Sequence, residues 1–211
     1  MSIALIIGCN YTGTDYELSG CDNDLANWST YLSNRCKYIT TLWDRDATKV
    51  NIQKALWALV RDSYMCEPKE VWFVYSGHGT QVRDRNGDEI DGLDEAIVSF
   101  ELETILDDEL QLIFSHLNTK PKTYLLFDCC HSGTIVDQLR NPNLALISGC
   151  RDNETSGDTL DGGILSLCLL AELRACNDPI FCAKKLSHIT KVTYGQEVTL
   201  TQFRDVPLNS T

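Results

Sequence analysis

The chain has no apolar run approaching the ~20 residues that a membrane-spanning helix needs. No basic segment precedes its first apolar stretch, residues 3–7, which is itself too short for a signal core. These absences lead to the expectation of an intracellular, cytoplasmic chain with no membrane partner. Positive charge is scarce: 18 Lys and Arg stand against 30 Asp and Glu, a formal net charge of −12. A nucleic-acid footprint needs a basic face, so nucleic acid is not an expected partner. Ten cysteines are present, but no two form a CxxC pair, and the four histidines lie outside zinc-finger spacing. Most of the cysteines therefore read as small buried hydrophobes in a reducing compartment. There is no internal repeat and no low-complexity segment.

What is present is a 211-residue chain, 43% apolar and 23% charged, enough for one domain with a proper core. Strand signals at 2–7, 37–42, 71–75, 96–100, 123–128, 144–148 and 198–203 alternate with helix signals at 22–34, from Thr48, at 107–117, 163–175 and 179–189. Leu25, Trp28 and Leu32 recur at helical spacing, as do Ile52, Leu56, Leu59 and Val60 behind a Thr48 N-cap. Residues 77–91 read as a polar loop without regular pattern. Repeated strand-then-helix order predicts an α/β fold, a mainly parallel central sheet with helices on both faces. The polar stretch 137–143 divides one domain into regions 1–140 and 141–211.

Two short motifs carry chemistry. Ser76-Gly77-His78-Gly79 follows the apolar run 71–75, and Asp128-Cys129-Cys130-His131-Ser132-Gly133 follows 124–127. In an open α/β sheet ligands bind at the carboxyl ends of the strands, where residues distant in sequence meet. A thiol must become a thiolate to attack, and a histidine can take its proton and later hand it to the leaving amine. This points to Cys130 as nucleophile and His78 as base, with the Gly79 and Cys130 N–H groups as an oxyanion hole. Cys129 and His131 are the rivals; alternation along an extended segment turns both away from the side that Cys130 faces. Asp128, two residues before the nucleophile, and Asp24, at the start of the first helix, are carboxylates at the same sheet edge that suit a guanidinium.

These motifs, in order along nearly the whole chain, resemble the metacaspase family, caspase-related cysteine peptidases. The resemblance runs through Asn10-Tyr11, Gly20-Cys21-Asp22-Asn23-Asp24 and Tyr75-Ser76-Gly77-His78-Gly79. It continues through Asp91-Gly92-Leu93-Asp94-Glu95, Asp128-Cys129-Cys130-His131-Ser132-Gly133, Ile147-Ser148-Gly149-Cys150 and Gly162-Gly163. It implies a caspase-like αβα sandwich and a Cys130–His78 dyad. Cleavage after Arg or Lys is implied through an S1 pocket of Cys21, Asp24, Ser76 and Asp128. No Arg or Lys precedes Arg35, where caspases draw part of their Asp-selective pocket. The resemblance also implies calcium stimulation, with ligands at Asp94, Asp107, Asp108 and Asp137, and a generally monomeric protein.

The family pattern has Ser where Cys129 stands, and the expectation is a type I-like core without a prodomain. An EF-hand is not the calcium site: Asp84, Asn86, Asp88 and Glu95 mimic one, but loop position six is Glu89 rather than the required Gly. Asp205 and Pro207 could blunt a closing edge strand. Self-cleavage is a further expectation, with Arg140 first and Arg83 and Arg85 next. The alternative in a different class is a calcium-responsive pseudoenzyme or binding module using the same cleft without cutting.

Overall fold

The structure is a computed structural model that describes residues 1–83, 92–130, 132, 135–136, 139–149, 158–159, 161–194 and 198–202. The first apolar run forms β1 (Ser2–Gly8), buried throughout. Its alternation serves two cores at once: Ile3, Leu5 and Ile7 enter one and Ala4 and Ile6 the other. Helix α1 (Cys21–Ser33), strand β2 (Cys36–Trp43), helix α2 (Lys49–Met65) and strand β3 (Glu70–Ser76) follow. Thr48 caps α2 by accepting the Asn51 N–H at 3.2 Å, worth about 1 kcal/mol. Next come β4 (Gly79–Arg83), β5 (Leu93–Val98), β6 (Thr104–Leu106), α3 (Asp107–Ser115), β7 (Lys122–Asp128) and β8 (Leu144–Ser148). The chain closes with β9 (Asp158–Thr159), β10 (Gly162–Gly163), α4 (Ile164–Cys176), α5 (Pro179–Tyr194) and β11 (Thr199–Gln202).

The main sheet has six strands in the order β11-β8-β7-β3-β1-β2. All neighbours run parallel except β11, which lies antiparallel on β8. Phe73, Tyr75, Leu125 and Phe127 pack with α2 and α3 on one face, and Trp72, Val74, Tyr124 and Leu126 with α1, α4 and α5 on the other. This is the three-layer arrangement that the alternating pattern predicts. No helix among the described residues is long and apolar enough to cross a membrane. Asp205 and Pro207 lie outside the described residues.

One segment corrects the sequence reading. Residues 77–91 were expected to be an irregular loop, but Gly79–Arg83 forms β4, which pairs antiparallel with β5 and through it with β6. Its residues are only half-buried to exposed, so they carry no apolar alternation, and its partner supplies the buried face. The register of the main sheet sets Gly8, Ser76 and Asp128 in a row at the carboxyl ends of β1, β3 and β7. Gly8 lets α1 start directly above this row: a Cβ there would lie 2.8 Å from the Cys21 carbonyl oxygen. Asn10 fixes that start by accepting the Cys21 N–H at 2.8 Å.

Candidate active site

Because β3 and β7 end side by side, His78 and Cys130 each lie two residues beyond adjacent strand ends. The two segments touch. A Cβ on Gly79 would overlap the Cys130 carbonyl oxygen and come within 3.1 Å of Cys129 Sγ. Cys129 is buried in the core on the α2/α3 face, whereas Cys130 is half-buried. His131 lies outside the described residues.

The His78 ring is oriented by the backbone. Its Nε2 stands 2.7 Å from the Tyr16 carbonyl oxygen. A carbonyl can only accept, so this partner assigns the proton to Nε2 and leaves the lone pair on Nδ1. Below the ring lies a pair of tyrosines that stand in the motifs quoted above but to which the sequence reading gave no role. Tyr11 and Tyr75 are fully buried, with their hydroxyls 3.1 Å apart. The His78 N–H donates to the Tyr11 hydroxyl at 2.9 Å, and the Tyr75 hydroxyl lies 2.8 Å from the His78 carbonyl. Both hydroxyls also lie 2.8 Å from the Val98 carbonyl of β5. Burial, foremost, pushes both phenols well above their ordinary range, so both keep their protons. Gly77 is required here, since a Cβ would lie 2.7 Å from the Tyr75 hydroxyl. The Tyr11 ring also underlies the His78 ring, centroid to centroid 4.6 Å.

Cys21, Asp24, Ser76 and Asp128 are all buried, and the last three belong to one hydrogen-bonded cluster with the start of α4. Ser76 Oγ donates to Asp24 at 2.6 Å, and the Gly163 N–H donates to the same carboxylate at 2.9 Å. The Ser166 N–H donates to Asp128 at 2.8 Å. Helix α4 has no side-chain cap of its own; two aspartates from distant segments accept its first N–H groups. The same contact favours the ionised carboxylates, which face the positive end of the helix. The two glycines of β10 make room: a Cβ on Gly162 would overlap Asp24, and one on Gly163 would overlap Asp128. Cys21 opens α1 one turn before Asp24. An uncapped apolar helix behind a glycine pair was the signal available in the sequence for this arrangement.

The acids expected to hold calcium lie where β5 meets α3. Asp94 is buried, Asp107 half-buried and Asp108 exposed. Burial, foremost, pushes the Asp107 carboxyl up to about 6, with the negative charges of Glu95, Asp94 and Asp108 adding to it. Among the described residues no three His, Cys, Asp or Glu side chains are grouped to hold an ion, and Asp137 lies outside them. Of the basic residues expected to be cut, Arg83 is exposed at the end of β4, and Arg140 is exposed at a cleft of about 520 Å3 against α3. Arg85 lies outside the described residues.

This geometry has relatives. A Geobacter sulfurreducens protein of known crystal structure matches 98% of this chain and 95% of its own, with a TM-score of 0.76. At 21% identity it speaks for the fold alone. Metacaspase-1B of Aspergillus terreus is 39% identical over 166 residues, covering 67% of this chain and 43% of that protein. Metacaspase-1 of Plasmodium falciparum is 35% identical over 196 residues, covering 76% and 32%. Metacaspase-1 of Saccharomyces cerevisiae is 40% identical over 149 residues, covering 64% and 34%. The chain thus spans about a third to two fifths of the length of these curated relatives. The family described as metacaspase, peptidase C14 domain, matches residues 3–139, which hold both strand ends with His78 and Cys130, and with that match the chain belongs to the metacaspases, its three-layer sandwich being the caspase-like one.

Proposed function

We propose that this chain is a cysteine endopeptidase that cuts after Arg or Lys. The observation that carries the proposal is the contact between the His78-Gly79 and Cys129-Cys130 segments, with the His78 lone pair assigned to Nδ1 by the Tyr16 carbonyl. In the proposed reaction His78 accepts the Cys130 thiol proton, and the thiolate adds to the substrate carbonyl. The N–H groups of Gly79 and Cys130 stabilise the resulting oxyanion. His78 then protonates the leaving amine, and water hydrolyses the acyl-enzyme. Asp24 and Asp128 hold the P1 guanidinium or ammonium, with Ser76 fixing Asp24 and Cys21 completing the wall. The N–H groups of Gly163 and Ser166 hold both carboxylates in a buried place.

Calcium is the proposed activator. Asp94, Asp107, Asp108 and Asp137 carry the hard oxygen donors that it takes, and a divalent cation would offset the neighbouring negative charges that add to the burial lifting Asp107. Bound there, it would supply charge neutralisation between β5 and α3. Self-processing completes the proposal, with exposed Arg140 the first site. N-terminal sequencing of fragments from incubated protein should find a cut after Arg140, Arg83 or Arg85, and cuts that follow no basic residue would reject it.

The decisive experiment is hydrolysis of fluorogenic peptides with Arg, Lys or Asp at P1, in calcium and in chelator. Cleavage after Arg and Lys alone, lost in chelator, is the expected result. Cleavage after Asp would overturn the pocket assignment, and cleavage undiminished by chelator the calcium assignment. No cleavage of any peptide would favour a binding module instead.

A further inference from the structure

The groups that would grip the residue before the scissile bond lie on the α1/α4 side of the sheet edge. A second cavity of about 320 Å3 lies at the β4–β6 sheet, lined by Tyr16, Thr80, Val98, Leu102 and Thr104 beside His78 and Gly79. Neither Asp24 nor Asp128 lines it. No Asp, Glu, Lys or Arg lines it among the described residues.

Two large apolar side chains flank its mouth and are not withdrawn from water: Tyr16 is 59% exposed and Leu102 42%. Single exposed hydrophobics need no explanation, but apolar surface grouped around a cavity marks a binding site. Leu102 is also held at φ 63, a left-handed conformation rare for leucine. Hydrogen bonds between Ser99 and both Leu102 and Glu103 close the turn that presents it.

The catalytic cycle links this cavity to the leaving group. The amine expelled from the acyl-enzyme takes its proton from His78, so its nitrogen must lie within hydrogen-bond reach of that ring. The residue that carries this nitrogen, P1′, then starts at the cavity's mouth. We propose that the cavity is the subsite for the residue immediately after the cut and that it selects an uncharged, apolar side chain. This inference rests on the peptidase reading above. The volume is ample for one Leu or Phe side chain, and a charged side chain would lose water there with no Asp, Glu, Lys or Arg lining among the described residues to offset it.

The test uses internally quenched peptides with Arg at P1 and Leu, Phe, Asp or Lys at P1′. The expected result is kcat/KM about tenfold higher for Leu and Phe than for Asp and Lys. Leu102→Lys should reverse the Leu-to-Asp ratio. Tyr16→Ala should shrink it, with the backbone carbonyl that orients His78 still in place. A separate arm treats the wild-type chain with a peptidyl fluoromethyl ketone carrying Arg at P1 and no residue beyond it. Labelling of Cys130 together with equal cleavage of all four peptides overturns the subsite and leaves the peptidase reading standing. So does a preference that both variants leave untouched. No labelling and no cleavage of any peptide overturns the peptidase reading, and the subsite with it.

Discussion

Cys130→Ala will lower kcat/KM on an Arg-P1 peptide by on the order of 10^4-fold or more, while Cys129→Ser stays within about tenfold of the parent. The adjacent thiols have opposite surroundings. Cys129 is sealed in the α2/α3-side core, whereas Cys130 is half-buried at the strand end against the His78 segment. Two other buried thiols offer no rival. Cys9 is fully buried and pushed up to about 12, mainly by burial with Asp44 adding, and Cys36 is pushed to about 12 for the same main reason. Neither can supply thiolate near neutral pH. The loss in Cys130→Ala will be chemical: a half-buried position next to a loop should shift stability by no more than about 1 kcal/mol. Steady-state kinetics beside a thermal melt make the check. Activity retained in Cys130→Ala and lost in Cys129→Ser would transfer the nucleophile to Cys129.

Gly163→Ala will collapse the advantage of Arg over its uncharged analogue citrulline at P1 by about 100-fold or more. Gly163 has φ −68 and ψ 146, which alanine adopts freely, so backbone strain plays no part. The added methyl overlaps the Asp128 carboxylate, which must leave its place and its 2.8 Å bond from the Ser166 N–H. One charge-assisted hydrogen bond of about 1.5–3 kcal/mol is lost, and the guanidinium loses a fixed partner. Gly162→Ala is the harsher companion, because φ 135 there excludes a side chain on backbone grounds as well. The ratio of kcat/KM for Arg and citrulline peptides is the readout, with circular dichroism to confirm the fold. A ratio equal to the parent's would show that Asp128 takes no part in P1 recognition.

The strands that position the site were legible wherever burial was complete. Residues 71–75 and 144–147 are continuous apolar runs because helices cover both faces of the sheet. The β4–β6 sheet was harder to read: its first strand carries Gly, Thr, Gln, Val and Arg, and β6 is three residues long. Asp24 could be recognised as an acid in the first turn of a helix, but not as the acceptor of an N–H 139 residues away. That contact depends on where α4 docks, which no local pattern encodes. Tyr11 and Tyr75 were hidden for a similar reason. Each reads as one more aromatic at a strand end, and only the closure of β5 over β1 and β3 brings their hydroxyls to His78.

The capping of α4 by Asp24 and Asp128 orders events during synthesis. A growing chain carries both aspartates, the histidine and the nucleophile once residue 130 has been made. Neither carboxylate has its helix partner until Gly163 and Ser166 emerge from the ribosome. Until then two acids at the sheet edge have every reason to stay in water. On the proposed function, the nascent chain thus holds its thiol before the two aspartates have their α4 partners. The step that docks α4 and completes the second core is the same step that gives both carboxylates their helix partners.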